Sequence, residues 1–178
     1  MKSEKLQKLV IGAMFAALCF LGTFIVKIPT FNGYIHLGDC MVILTGIILG
    51  PIYGALAAGV GSMLSDLLGG YVAFVPGTFV IKALAAATAA LLFRSLCRYF
   101  KSTSSHMVIT IFCGICSGII VVFGYLVYES YFLHLGAGAL SSIPGNIIQG
   151  ISGVILSTIL YPVLTKIPDL KHLTQQKI

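Results

Sequence analysis

The chain has 178 residues, 58% of them hydrophobic and only 9% charged, with a mean hydropathy of +1.03. Soluble domains carry about 25% charged residues, so a surface built from this composition faces lipid, and the class is an integral membrane protein. The net charge of +6 does not indicate nucleic acid, because the basic residues fall in short clusters beside apolar runs without interleaved aromatics, which is the pattern of topology signals.

In chain order, Lys2, Lys5 and Lys8 precede an apolar run over 9–28. The run is longer than a secretory h-region and no convincing cleavage site follows, so it predicts a retained first helix. Gly12, Ala13, Ala16 and Ala17 form a ridge of small residues on it, with Gly12/Ala16 and Ala13/Ala17 each four apart. Such ridges let helix backbones approach closely in lipid. The ridge reads either as a contact within the chain or as a docking face for another membrane subunit.

The next stretch, 37–68, reads as one helix kinked at Pro51 or as two, 37–49 and 51–68. Charge decides between them. With one helix, Arg94, Arg98, Lys101, Lys166, Lys171 and Lys177 fall opposite the N-terminal lysines; with two, all share one side, leaving Lys27 and Lys82 toward the exterior. Cytoplasmic segments are enriched in Lys and Arg, which favours two, and Gly50 before Pro51 suits one helix ending as another begins. Three further runs, 77–97, 107–128 and 141–165, complete the reading. It is an all-α membrane protein, one domain over 1–178 made of a six-transmembrane-helix bundle with both ends in the cytoplasm. The outer connections 29–36, 69–76 and 129–140 gather polar and aromatic residues, so a ligand site is expected to open outward.

Asp39 lies at the outer start of the second helix, as an N-cap for free backbone amides or, with His36, as a ligand contact. Asp66 and Lys82 flank the second outer loop. Intramembrane charges are expensive and face the bundle or a cavity, so these two read as a buried ion pair, with Lys82 also placed to donate to a ligand. Asn146 and Gln149, three apart in Pro144-Gly145-Asn146-Ile147-Ile148-Gln149-Gly150, put two amides on one helical face. Each offers donors and an acceptor, which suits a small polar heterocycle; interhelical hydrogen bonding is the alternative. Tyr125, Tyr128 and Glu129 end the fifth helix on the same side. An inward tyrosine stacks on a flat ring and bonds its edge; an outward one belongs to an interfacial belt. Asn32, Tyr34 and His134 are further loop candidates.

The five cysteines are odd in number and scattered, which is no disulfide framework. Cys113-x-x-Cys116 lies inside a predicted spanning helix without a second Cys or His pair, so it reads as packing rather than a metal or redox site. There is no Walker A loop, H-E-x-x-H or G-x-S-x-G. The reading is therefore a non-enzyme without cofactor or metal.

The segments Gly33-Tyr34-Ile35-His36-Leu37-Gly38-Asp39, Leu49-Gly50-Pro51-Ile52-Tyr53-Gly54-Ala55, Gly61-Ser62-Met63-Leu64-Ser65-Asp66-Leu67-Leu68-Gly69-Gly70, Pro76-Gly77-Thr78 with Lys82, and the Pro144–Gly150 stretch carry a resemblance. Together they resemble the substrate-binding (S) components of energy-coupling factor (ECF) vitamin transporters over nearly the whole chain. The resemblance implies six helices and one micronutrient bound near the outer face. It implies docking through an A-x-x-x-A motif, matched by Ala13 and Ala17, to a membrane coupling (T) subunit. Two cytoplasmic ATPases would power uptake, the S component toppling to release its substrate inside, in the bacterial cytoplasmic membrane. The features look most like the branch assigned to pyridoxine-type or hydroxymethylpyrimidine substrates; pantothenate, riboflavin, niacin and folate stay open. With no Trp, stacking falls to Tyr or Phe. The competing reading is a structural membrane subunit without a ligand, against which the outer cluster of Lys82, Asn146 and Gln149 argues.

Overall fold

A computed structural model describes residues 2–30, 33–100 and 102–175. Asn32, Lys101 and Lys177 lie outside the described residues. The elements are α1 (Lys2–Phe24), an antiparallel hairpin of β1 (Ile28–Pro29) and β2 (Tyr34–Ile35), α2 (Asp39–Leu49), α3 (Pro51–Leu68), α4 (Val75–Cys97), α5 (Thr103–Val127), α6 (Ile143–Leu164) and α7 (Pro168–Gln175). Short 3-10 and π turns over Val72–Phe74, Tyr128–Phe132 and Gly136–Ser142 join the helices at the hairpin end.

Among the described residues, five helical segments are long and apolar enough to cross a membrane; α2 is the shorter sixth. Its eleven residues span about 16 Å at 1.5 Å per residue, half of a hydrocarbon core of about 30 Å. Its sequence, DCMVILTGIIL, is apolar on every face, and ten of its eleven residues are buried. A helix apolar all round belongs inside a protein, and α2 packs on α1, α3, α4 and α6. Together with α5, those neighbours form an arc in the order α1, α3, α4, α5, α6.

Close backbone contact holds α2 in place. A Cβ on Gly46 would stand 2.1 Å from the Ala86 carbonyl oxygen, so only glycine lets α2 and α4 meet there. At Gly50 φ is +85°, a backbone that L side chains rarely adopt, and Pro51 opens α3 at its first turn, where a missing N–H costs nothing. The predicted break at Gly50-Pro51 is therefore a tight turn between antiparallel helices. It packs against Arg94 near the end of α4.

One element was not foreseen. After α6 the chain turns into α7, whose Leu170 and Leu173 join the same apolar cluster as Ile47 and Ile48, while Asp169 accepts a hydrogen bond from Gln7 Nε2 at 3.0 Å. Thus α7 closes the end of the bundle where α2 stops. At the other end α2 begins beside Lys82, seven residues into α4 and so about 10 Å below its first turn. A polar hollow remains above α2, beneath the β hairpin.

Candidate functional site

The hollow is a cleft of about 50 Å3 whose lining includes Tyr34 and His36 from the hairpin strand and the loop after it, Asp66 from α3, Thr78 from α4, Tyr125 and Glu129 from α5 and its π turn, and Asn146 and Gln149 from α6. Tyr71 and Phe74, on the loop after α3, complete it.

The floor is a closed polar network. Lys82 donates to Asp39 Oδ1 at 2.5 Å, and Gln149 Nε2 donates to Asp39 Oδ2 at 2.9 Å. Gln149 Oε1 accepts from the His36 backbone N–H at 3.3 Å, and His36 Nδ1 accepts from the Gly38 N–H at 3.0 Å. All four side chains are buried. Burial, reinforced by the Lys82 ammonium, pushes the His36 imidazole down to about 3, so the ring is neutral and serves Gly38 as an acceptor.

Two expectations are corrected here. The ion pair is Asp39–Lys82, not Asp66–Lys82. The α2–α4 approach at Gly46 carries Asp39 to Lys82, whereas Asp66 bonds to Tyr34 on the hairpin. Nor does Asp39 cap α2: Gly38 holds the cap position without a side-chain bond, and the Asp39 carboxylate turns to Lys82 and Gln149. An ammonium in a membrane interior is a stronger claimant than backbone amides, since leaving it unpaired is the costlier outcome.

The wall is built differently. The Tyr34 hydroxyl donates to Asp66 Oδ1 at 2.5 Å, and Thr78 Oγ1 and the Tyr125 hydroxyl share a hydrogen bond of 2.8 Å. Burial and the Asp66 carboxylate raise Tyr34 above its ordinary value, which keeps its proton available to Asp66. Glu129 is buried on the same wall. Tyr34, Tyr71, Phe74 and Tyr125 form a row of rings with successive centroids 4.7, 6.4 and 6.5 Å apart. At the rim the Lys27 ammonium lies 4.5 Å from the Tyr34 ring centre and 5.6 Å from that of Tyr71.

Of the sequence candidates, Tyr34, His36, Tyr125, Glu129, Asn146 and Gln149 line the cleft; Asp39 and Lys82 lie beneath it. Tyr128 bonds instead to the Ala73 carbonyl at 2.7 Å, its ring filling the space left by Gly77. His134 is exposed and away from the lining. Thr30, Tyr71, Phe74, Thr78 and Ser142 were not singled out, though GGYVAFVPGT between two apolar runs carried the signal for three of them. On α1 the ridge divides: Ala16 packs against Gly61 of α3, while Ala13 and Ala17 are exposed.

The wall presents aromatic faces, two carboxylates, amides and hydroxyls, an arrangement that binds rather than reacts. A polytopic bundle with a sunken polar cleft defines a membrane substrate-binding protein. The family model of the ECF-type riboflavin transporter S component matches residues 3–166, and the chain belongs to this S-component family, whose role is transport rather than catalysis. A protein of Pyrococcus woesei described as "Uncharacterized protein in gap 3'region" is 32% identical over 131 residues, 74% of this chain and 82% of the relative. Two solved structures share the fold. One, the S component of a bacterial ECF transporter, is 23% identical with a TM-score of 0.58, covering 91% of this chain and 97% of that one. The other, the S component for biotin from an ECF-type ABC transporter, is 18% identical with a TM-score of 0.60, covering 91% and 94%.

Proposed function

We propose that this S component captures a small, flat nitrogen heterocycle rich in N–H and O–H donors, of the pyridoxine or hydroxymethylpyrimidine kind. Its cleft opens to the outside, with both chain ends on the cytoplasmic side. The observation that carries the reading is the charge of the wall. Among the described residues, the cleft lining holds Asp66 and Glu129 and no lysine or arginine; the Lys82 ammonium below it is committed to Asp39, and the Lys27 ammonium stays at the rim, over the Tyr34 and Tyr71 rings. A ligand bearing a carboxylate, such as biotin, niacin or pantothenate, would face like charge in a water-poor site. A protonated ring nitrogen or an exocyclic amine would find acceptors instead. The row of tyrosine and phenylalanine rings offers a face to an aromatic ligand.

Riboflavin is the second reading, favoured by the family model that matches the chain. It is uncharged, and its ring system would suit the same aromatic row. In either case delivery would proceed by docking to a membrane coupling subunit energised by two cytoplasmic ATPases. Ala13 and Ala17 form the contact, since they are the exposed members of the small-residue ridge.

The test is to purify the protein in detergent without added vitamin, denature it and identify released molecules by mass spectrometry, followed by a thermal-shift panel of vitamins. A B6 vitamer or pyrimidine that raises the melting temperature is the expected result. Stabilisation by riboflavin alone selects the second reading, and stabilisation by biotin or pantothenate would overturn the charge argument.

A further inference from the structure

The floor network leaves one ring nitrogen over. His36 follows β2, and its imidazole lines the cleft. Its Nδ1 lies 3.0 Å from the Gly38 backbone nitrogen. That amide can only donate, so Nδ1 is bare and accepts. A doubly protonated ring, or the other neutral tautomer, would set N–H against N–H at this distance. The single proton of the neutral ring therefore sits on Nε2. Among the described residues Nε2 has no partner, and it is not one of the enclosed polar atoms that lack one. It is thus open to the cleft that His36 lines.

Two contacts hold the ring in this state. A Cβ on Gly38 would stand 2.1 Å from Thr23 Oγ1 and 3.0 Å from His36 Nδ1, so glycine is what lets the amide close on the ring. The His36 backbone N–H is tied to Gln149 Oε1 at 3.3 Å, and Gln149 Nε2 is spent on Asp39 at 2.9 Å. Turning that amide over would bring its NH2 against the His36 N–H and its oxygen against a carboxylate. The floor therefore fixes the backbone and the ring of His36 separately.

Other polar groups on the lining are less committed. The Tyr71 hydroxyl rotates, and the Asn146 amide carries both donors and an acceptor. The free nitrogen of His36 can only donate, whereas ionised Asp66 and Glu129 can only accept. Tyr34 adjoins both kinds: its ring centre lies 5.5 Å from that of His36, and its hydroxyl bonds to Asp66 Oδ1.

We propose that His36 determines specificity: its Nε2–H selects an acceptor on the ligand ring, an unprotonated nitrogen or a carbonyl oxygen, while the ligand's N–H or O–H donors face Asp66 and Glu129. The class narrows to heterocycles with both kinds of edge, such as an aminopyrimidine or a cyclic imide. A ring that offers only donors would meet the His36 N–H with a like group, and a buried donor left unmatched is costly. The assignment rests on the heterocycle reading above.

Nitrogen NMR of the detergent-solubilised protein, isotope-labelled in its histidines, reads both ring nitrogens without a vitamin. His36→Asn identifies the His36 signals by their loss. Should that variant not fold, a protein combining His106→Gln, His134→Gln and His172→Gln identifies them instead. At neutral pH the expected state is a bare Nδ1 and a protonated Nε2. Hydroxymethylpyrimidine, pyridoxine and riboflavin are then added in turn. A probe that raises the melting temperature is expected to move the Nε2–H proton downfield and to bind His36→Asn about three- to tenfold more weakly. A proton on Nδ1 in the free protein overturns the assignment and leaves the heterocycle reading standing. So does a probe that stabilises the protein without moving Nε2–H. A protein that keeps its proton on Nε2 yet binds none of the probes fails the heterocycle reading, and the narrowed ligand class falls with it.

Discussion

Two polar layers lie one above the other in this bundle, about one helical turn apart on α4, where Lys82 marks the lower and Thr78 the upper. In the lower layer Lys82, Asp39, Gln149 and His36 bond to one another, and each charge meets its opposite. In the upper layer Asp66 is held by the neutral hydroxyl of Tyr34 beside the Thr78–Tyr125 pair, and a second acid, Glu129, shares the wall. The same residue types serve different ends. A completed network fixes helices; a carboxylate held by a neutral hydroxyl on a cleft wall is equipped for a guest. An intramembrane charge signals function by what its neighbours leave over, not by its presence.

The largest expected effect tests the lower layer. Lys82→Met strands the buried Asp39 charge and should cost about 3–5 kcal/mol of stability, as removal of one partner of a buried pair does. Chemical or thermal denaturation in detergent reads it, and adding Asp39→Leu should restore much of the loss. A Lys82→Met protein that melts normally but has lost its ligand would erase the distinction between layers. Next comes the upper layer. Asp66→Asn removes a charged acceptor, a loss of about 1.5–3 kcal/mol, so affinity should fall about 10- to 100-fold while the melting temperature moves little. Unchanged affinity would take Asp66 out of the site.

A smaller effect concerns pH. His36 is neutral when folded, pushed down by burial to about 3 from the ordinary imidazole value of 6.5. The unfolded chain therefore binds more protons between those values, and the contribution of neutral His36 to stability is present above pH 6.5 and lost as pH falls toward 3. His36→Asn, which keeps an acceptor for Gly38, should flatten the acid side of the melting curve; a parallel curve would mean that the carboxylates alone set it. The smallest effect on both layers comes from Ala13→Trp or Ala17→Trp, which should leave melting and binding unchanged yet block uptake by cells. Ala16→Trp, pressed against Gly61, should instead destabilise the fold, by about 1–3 kcal/mol or more.

Much of this was legible from charge and punctuation. The lysine and arginine count split 37–68 into two helices, and Gly50-Pro51 marked the turn. The rotation of α2 was not legible. Almost every position on it is apolar, and in lipid an apolar side chain faces core or bilayer with equal ease, so periodicity carries little orientation. Hence Lys82 drew the wrong partner: Asp66 is nearer in sequence, but the missing Cβ of Gly46 decides which carboxylate arrives. The helix α7 escaped notice because its two buried leucines, spaced by charges, resemble an ordinary polar end. The spacing of Asn146 and Gln149 and their place in the outer half of α6 put both amides at the cleft lining, whereas Tyr71 and Phe74 sit on a loop, and a loop aromatic has no period to read.

The short α2 has a mechanical meaning. It is a stiff rod with Asp39 at one tip, under the cleft, and the Gly50 turn at the other, beside Arg94 and close to α7. Packed interiors resist compression and pass strain along. Any displacement of the floor by a captured molecule would therefore reach the opposite face of the membrane over about 16 Å, like the stem of a valve whose head and seat move together.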